Sequence, residues 1–293
     1  MTDTVIDLSH ISKKYGRNTV LDDITYQVRR GSVFALLGEN GAGKTTTIRI
    51  LLGLCEPDNG ERSVLGLDCK RNDLQIRQSV GYVPEQPILY DWMTAAEIGR
   101  FAASFYPDGY LTRYNDWLKE YDLTPDAKIK SLSKGQRAKV SLASALAHDP
   151  ELLILDEPTS GLDAMVRREF LESMVDRAAT GRTVFLSSHQ IGEVERVADT
   201  VAIMKKSKIL LVEPLEPLKS RSHLITVTLN EDVPLQEPLL QQVVSQRIEG
   251  RELRLLGHDI RADADRILKE HQNVARYEIR TPTLEEIFVA YMK

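Results

Sequence analysis

Residues 33–37 read Val-Phe-Ala-Leu-Leu and run without a polar break into Gly38-Glu39-Asn40-Gly41-Ala42-Gly43-Lys44-Thr45. A strand that is apolar at every position is expected to be buried on both faces, as in a parallel sheet covered by helices. The eight residues that follow fit G-x-x-x-x-G-K-[ST]. Glycine allows positive φ and lets the chain approach an anion closely. Successive backbone N–H groups then point inward as an anion nest. Residues 45–54 are predicted to be a helix, whose N-terminus adds its dipole to the same anion. In a loop of this kind Lys44 reaches the β- and γ-phosphates, and the Thr45 hydroxyl, with Thr46 beside it, binds Mg²⁺. Strand, loop and helix together predict a nucleotide triphosphate site over Gly38–Thr46.

The rest of the chain supports an α/β reading. Residues 5–8, 20–28, 64–67, 80–83, 152–155, 183–186 and 201–204 are predicted strands. Residues 95–105, 111–121, 135–147, 164–178 and 191–198 carry helical spacing. Strands alternating with helices argue for a mainly parallel sheet, with a helical insert over about 88–148. After about residue 213 the text changes. Pro214, Pro217, Pro234 and Pro238 punctuate it, and strands at 224–229, 253–256 and 275–279 with helices at 260–270 and 284–292 predict a small α+β domain over 214–293. Thr283 caps the last helix, with Glu285 and Glu286 in its first turn. The 293 residues carry a net charge of −5, which gives no global basic signature for nucleic acid. Cys55 and Cys69 fit no zinc or redox spacing and are read as incidental. Met1–His10 does not read as a signal peptide. No apolar run approaches the roughly 18 residues needed to span a bilayer.

Four apolar residues, 152–155, end in Asp156 and Glu157, a strand end expected to expose both acids beside the phosphate loop. Asp156 can hold Mg²⁺, and Glu157 can orient and deprotonate a water. Leu132-Ser133-Lys134-Gly135-Gln136 opens a helix upstream. Ser160-Gly161-Leu162-Asp163 follows the acids, Ser188-His189 follows the next predicted strand, and Gln86 follows the strand at 80–83. In this order and spacing the segments resemble the ATP-binding cassette ATPases over about residues 5–211.

The resemblance implies a P-loop NTPase fold with an N-terminal antiparallel β subdomain. It implies that ATP with Mg²⁺ is held by Tyr15, Gly38, Glu39, Asn40, Gly41, Ala42, Gly43, Lys44, Thr45, Thr46 and Gln86. Tyr15 matches the aromatic that stacks on adenine. Thr45, Gln86 and Asp156 match the metal contacts, and Glu157, His189 and Lys44 the catalytic groups. Ser133, Lys134, Gly135 and Gln136 match the signature that caps the ATP of a second subunit, and Asp163 the loop acid linking the two sites. Lys134 departs from the family pattern, which has glycine there; lysine requires ordinary φ or local strain. The implied partners are a second ATPase subunit, a homodimer being the simplest case, and a transmembrane permease. The implied place is the cytoplasmic face of the membrane. Pro282 to Phe288 resembles the closing segment of bacterial drug and antibiotic export subunits. The competing expectation is a soluble cassette ATPase acting on nucleic acid or ribosomes, although such proteins usually carry coiled coils or a zinc hook that this chain lacks.

Overall fold

The computed structural model describes residues 3–230 and 242–293. Met1, Thr2, Pro234 and Pro238 lie outside the described residues. The strands are β1 (Thr4–Tyr15), β2 (Asn18–Arg29), β3 (Val33–Gly38), β4 (Asn59–Val64), β5 (Leu67–Asp68), β6 (Val80–Val83), β7 (Leu152–Asp156), β8 (Thr183–Ser188), β9 (Thr200–Lys205), β10 (Lys208–Pro214), β11 (Ser222–Leu229), β12 (Val243–Glu249), β13 (Glu252–His258) and β14 (Val274–Arg280). The helices are α1 (Lys44–Leu51), α2 (Asp73–Ser79), α3 (Ala95–Ala103), α4 (Tyr110–Glu120), α5 (Lys134–Leu146), α6 (Ala164–Ala179), α7 (Ile191–Val194), α8 (Leu215–Arg221), α9 (Arg261–Glu270) and α10 (Leu284–Met292). The chain forms two compact units, Met1–His189 with Val197–Val212, and Gln190–Arg196 with Glu213–Lys293.

In the first unit a six-stranded sheet has the order β10-β9-β3-β8-β7-β6. The neighbours β9-β3-β8-β7-β6 are all parallel. All residues of β3, β7 and β8 are buried, which is why their sequences show apolar runs and not alternation. An antiparallel sheet, β2-β1-β4-β5, packs on this layer. Tyr26 of β2 stacks on Phe34 of β3 at 5.3 Å, and Phe34 on Phe185 of β8 at 5.6 Å. Helices α3, α4 and α5 hold their own core around Tyr110, Tyr114, Leu118 and Val140. Gly99 is required there, because a Cβ would stand 2.2 Å from the Tyr114 ring.

Three expectations are corrected. The strand predicted at 64–67 is interrupted by a turn. Leu65 and Gly66 both take positive φ, 53° and 76°, so β4 folds back on β5. That is the pattern of a tight hairpin turn, and Leu65 in its first central position hid it. The helix predicted to Leu54 ends at Leu51. Gly53 has φ 66°, its N–H reaches Ile50 O at 3.1 Å, and Leu54 N–H reaches Arg49 O at 2.8 Å, a Schellman stop. The helix predicted over 191–198 ends at Val194. Helices α2 and α8 and strands β10 and β12 were not anticipated. Within α2 only Ile76 is buried, so no apolar period marks it.

The second unit is an antiparallel sheet, β12-β13-β11-β14. One face buries Ile225, Val227, Leu253 and Leu255 against Ala264 and Leu268 of α9. Residues 190–196, with α7, belong to this unit, and α10 packs on α7. Among the described residues no helix is long and apolar enough to cross a membrane.

Candidate functional site

Register alone brings the candidate residues to one sheet edge. Leu37 of β3 pairs with Ser188 of β8, Ser187 with Asp156 of β7, and Leu155 with Val83 of β6. The residues that follow, Gly38, His189, Glu157 and the 84–86 segment, therefore leave the sheet side by side at its C-terminal edge. Ligands in open α/β sheets bind at such an edge.

The loop glycines have distinct reasons. A Cβ on Gly38 would stand 2.7 Å from Met204 O. On Gly43, at φ 117°, it would stand 2.6 Å from Val20 O and 2.7 Å from the Leu21 side chain. Gly41 has φ 81° and open space around it. Glu39, Asn40 and Gly41 are exposed, Ala42 is buried, and Thr45 and Thr46 are half-buried in the first turn of α1.

Lys44 is 5% exposed. Its ammonium donates to Gly38 O at 2.7 Å and Glu39 O at 3.3 Å, and pairs with Glu157 Oε1 at 3.0 Å. Asp156 and Glu157 were expected at the surface, yet they are 2% and 6% exposed. Each is buried because each has a partner. Ser187 Oγ donates to Asp156 Oδ1 at 2.6 Å. His189 donates to Glu157 Oε2 twice, from Nδ1 at 2.8 Å and from its backbone N–H at 3.2 Å. Glu157 itself has φ 49°, a left-handed conformation unusual for a side chain of this size. Its N–H is held by Ser187 O and Ser187 Oγ, both at 3.1 Å. Ser187 is fully buried and was missed in the sequence, where Ser188-His189 drew attention instead.

The remaining candidates stand apart from this cluster. Gln86 is exposed in the bend after β6. Tyr15 is 49% exposed at the end of β1, opposite Asn18, which precedes by two residues the Val20 carbonyl that lies against Gly43. Its hydroxyl meets Cys55 Sγ at 3.2 Å, a hydrogen bond that raises the phenol above its ordinary range. The Lys13 ammonium sits 5.5 Å from the centre of the Tyr15 ring. Ser133 is the N-cap of α5 and forms a capping box with Gln136. Lys134 takes ordinary helical φ, and its ammonium lies against Gly161. Gly135 is buried against Val166. Asp163 caps α6 by accepting from Met165 and Val166 N–H, both at 3.1 Å. Among the described residues no hydrogen bond or ion pair joins Gln86 or Ser133–Gln136 to Lys44, Glu157 or His189.

The cluster fits a phosphate with a hard cation. Glu157 Oε1 is buried and makes no directed hydrogen bond. Asp156 and Glu157 bring carboxylate oxygens to the end of β7, hard donors of the kind that suits Mg²⁺ carried in with phosphates.

Residues 21–160 match the family described as ABC transporter. The chain is 32% identical to the linearmycin resistance ATP-binding protein LnrL of Bacillus subtilis (strain 168), over 97% of each chain. It is 35% identical to the bacitracin transport ATP-binding protein BcrA of Bacillus licheniformis, over 75% of this chain and 72% of that one. A solved ATP-binding subunit of an ABC transporter superposes with a TM-score of 0.69 at 33% identity, covering 74% of this chain and 92% of that chain. Sequence and fold agree: the chain belongs to the ATP-binding subunits of the ABC transporter family and hydrolyses ATP.

Proposed function

We propose that two copies of this chain close head to tail on two molecules of MgATP and drive a separate membrane-spanning permease in the export direction. The observation that carries the catalytic part is the Glu157 carboxylate, buried between Lys44 and His189. Lys44 leaves that carboxylate for the β- and γ-phosphates, and the loop N–H groups hold the same oxygens. Glu157 then orients a water in line with the γ-phosphorus and takes its proton. His189 keeps the attack geometry. Thr45, Asp156 and Gln86 would hold Mg²⁺, which would supply neutralisation of the charge developing on the phosphate.

Each subunit has one phosphate loop and one Ser133 cap, so a closed twofold pair completes two sites. Ser133 meets the partner's γ-phosphate with the N-terminus of α5 behind it, and Lys134 adds a cation there. Loss of the γ-phosphate removes the contact and lets the halves part. For the permease, support comes from Tyr90, Trp92, Phe101 and Phe105, an exposed run of rings in successive contact just beyond Gln86. Exposed aromatic patches of this kind mark interaction surfaces. The chain then works from the cytoplasmic face of the membrane. For direction, support comes from relatives named for bacitracin transport and linearmycin resistance. The test is Ser133→Arg in the chain purified with its permease. ATP binding is expected to persist while hydrolysis and transport stop; loss of ATP binding itself would refute a site completed in trans.

A further inference from the structure

The loop over residues 52–58, which joins α1 to β4, brings two side chains to the Tyr15 ring. The first is Cys55. Its Sγ meets the Tyr15 hydroxyl at 3.2 Å and lies 3.6 Å from Glu56 O. A thiol has one proton to give. Directed at Glu56 O, that proton leaves the sulfur as acceptor of the Tyr15 O–H. The second is Asp58, which acts through Lys13. Asp58 Oδ1 pairs with the Lys13 ammonium at 3.0 Å, and Oδ2 accepts the Lys14 N–H at 2.6 Å. The Asp58 N–H donates to Ser12 O at 2.8 Å. Asp58 is thus held at Ser12, Lys13 and Lys14 of β1. The ammonium it fixes rests 5.5 Å from the centre of the Tyr15 ring, within cation–π range.

The contacts matter because the ring is otherwise free. Tyr15 is half exposed, on the last residue of β1 before a turn in which Gly16 takes φ 60°. An exposed side chain must give up rotamer freedom to pack on a ligand. Here the hydroxyl is tethered and one face carries a cation, which leaves the opposite face for a flat ring. The hairpin sets this ring beside the phosphate loop, since Tyr15 pairs with Asn18 and Val20 O lies against Gly43. Its anchors come from the same stretch of chain: α1 begins at Lys44, and the loop that leaves its last turn carries Cys55 and Asp58.

We propose that Cys55 and Lys13 are positioning residues for nucleotide binding, holding the Tyr15 ring in its stacking pose before the adenine of ATP arrives. The proposal rests on the reading of Tyr15 as the ring that stacks on adenine, and goes beyond it in assigning what aims the ring. It differs from a purely stabilising role in what it moves. The exposed Lys13–Asp58 pair and a single thiol contact contribute little to the fold. A ring ordered in advance raises affinity for a ligand that carries a base, and leaves affinity for the bare phosphates as it was.

The experiment is calorimetric titration of the full-length chain with ATP and, in parallel, with inorganic tripolyphosphate, which carries the phosphates without the base. Tyr15→Ala removes the ring and is expected to weaken ATP about tenfold. Cys55→Val and Tyr15→Phe each remove the tether and keep the ring. Each is expected to weaken ATP about three- to fivefold, with tripolyphosphate affinity within about twofold of wild type. The double variant is expected to lose no more than either single change, because both break one contact. Cys55→Ser keeps an acceptor for the phenol and is expected to recover most of the loss. Lys13→Met, which keeps the stem and removes the cation, is expected to weaken ATP about threefold. Tyr15→Phe serves should Cys55→Val fail to fold. Wild-type ATP affinity in Cys55→Val, Tyr15→Phe and Lys13→Met beside a weak Tyr15→Ala overturns the proposal. Equal loss of ATP and tripolyphosphate affinity in Cys55→Val overturns it too, because that marks a loop that only supports α1. Wild-type ATP affinity in Tyr15→Ala overturns the reading of Tyr15 on which it stands.

Discussion

Replacing Glu157 by glutamine separates two consequences of one buried contact. At 3.0 Å and an effective dielectric of about 20, the Lys44–Glu157 attraction is roughly 5 kcal/mol before desolvation. Desolvation of the two ions takes back most of it, leaving a net contribution on the order of 1 kcal/mol. The wild-type chain must give up that contribution when Lys44 turns to a phosphate. In Glu157→Gln the ammonium keeps its bonds to Gly38 O and Glu39 O and has no rival anion. ATP is therefore expected to bind about fivefold more tightly. Turnover is expected to fall about 10²-fold or more, because the amide cannot accept the proton of water. Titration with a fluorescent ATP analogue and phosphate release at saturating MgATP read the two effects separately. Near-normal turnover would put the general base elsewhere. Lost turnover with weaker ATP binding would show that the Lys44–Glu157 pair does not compete with nucleotide.

Three other outcomes follow from the packing. Gly43→Ala, which forces a Cβ to 2.6 Å from Val20 O at φ 117°, is expected to cost about 3 kcal/mol and abolish nucleotide binding, while Gly41→Ala, in open space, costs only about 1 kcal/mol of backbone strain; thermal unfolding and ATP binding check both. Ser187→Ala removes a hydrogen bond to the buried Asp156 carboxylate and is expected to cost about 2 kcal/mol in denaturant unfolding, with turnover falling more than ATP affinity as Glu157 loosens. Burial holds His148 down to about 4, so below its ordinary pKa the unfolded chain takes up a proton that the folded chain refuses; stability present above pH 6.5 is lost as the pH falls toward 4, by up to about 3 kcal/mol, and unfolding curves of His148→Phe should lack that loss.

The parallel sheet was legible because burial on both faces writes continuous apolar runs, as in β3, β7 and β8. The phosphate loop was legible because its glycines answer to steric demands that no other residue meets. Strand β12 was not, since its outer half is exposed and imposes no alternation. The turn at Leu65 was not, because leucine in a left-handed conformation is paid for by neighbouring strand pairing that no local pattern records. Ser187 was not, because its role depends on register: it lies beside Asp156 only once β7 and β8 are paired.

The positive φ of Glu157 bears on how the site can work. A residue of this kind persists in that conformation only where its surroundings over-determine it, and here the two acceptors on Ser187 do so. Glu157 is therefore the fixed member of the cluster, anchored to β8 by its own backbone. Lys44 reaches it from α1 through a long flexible side chain. His189 reaches it from the residue just after β8. A phosphate entering the loop can displace the lysine without moving the carboxylate. Loss of the His189 contact alone is therefore expected to alter the rate of the chemical step more than the affinity for nucleotide.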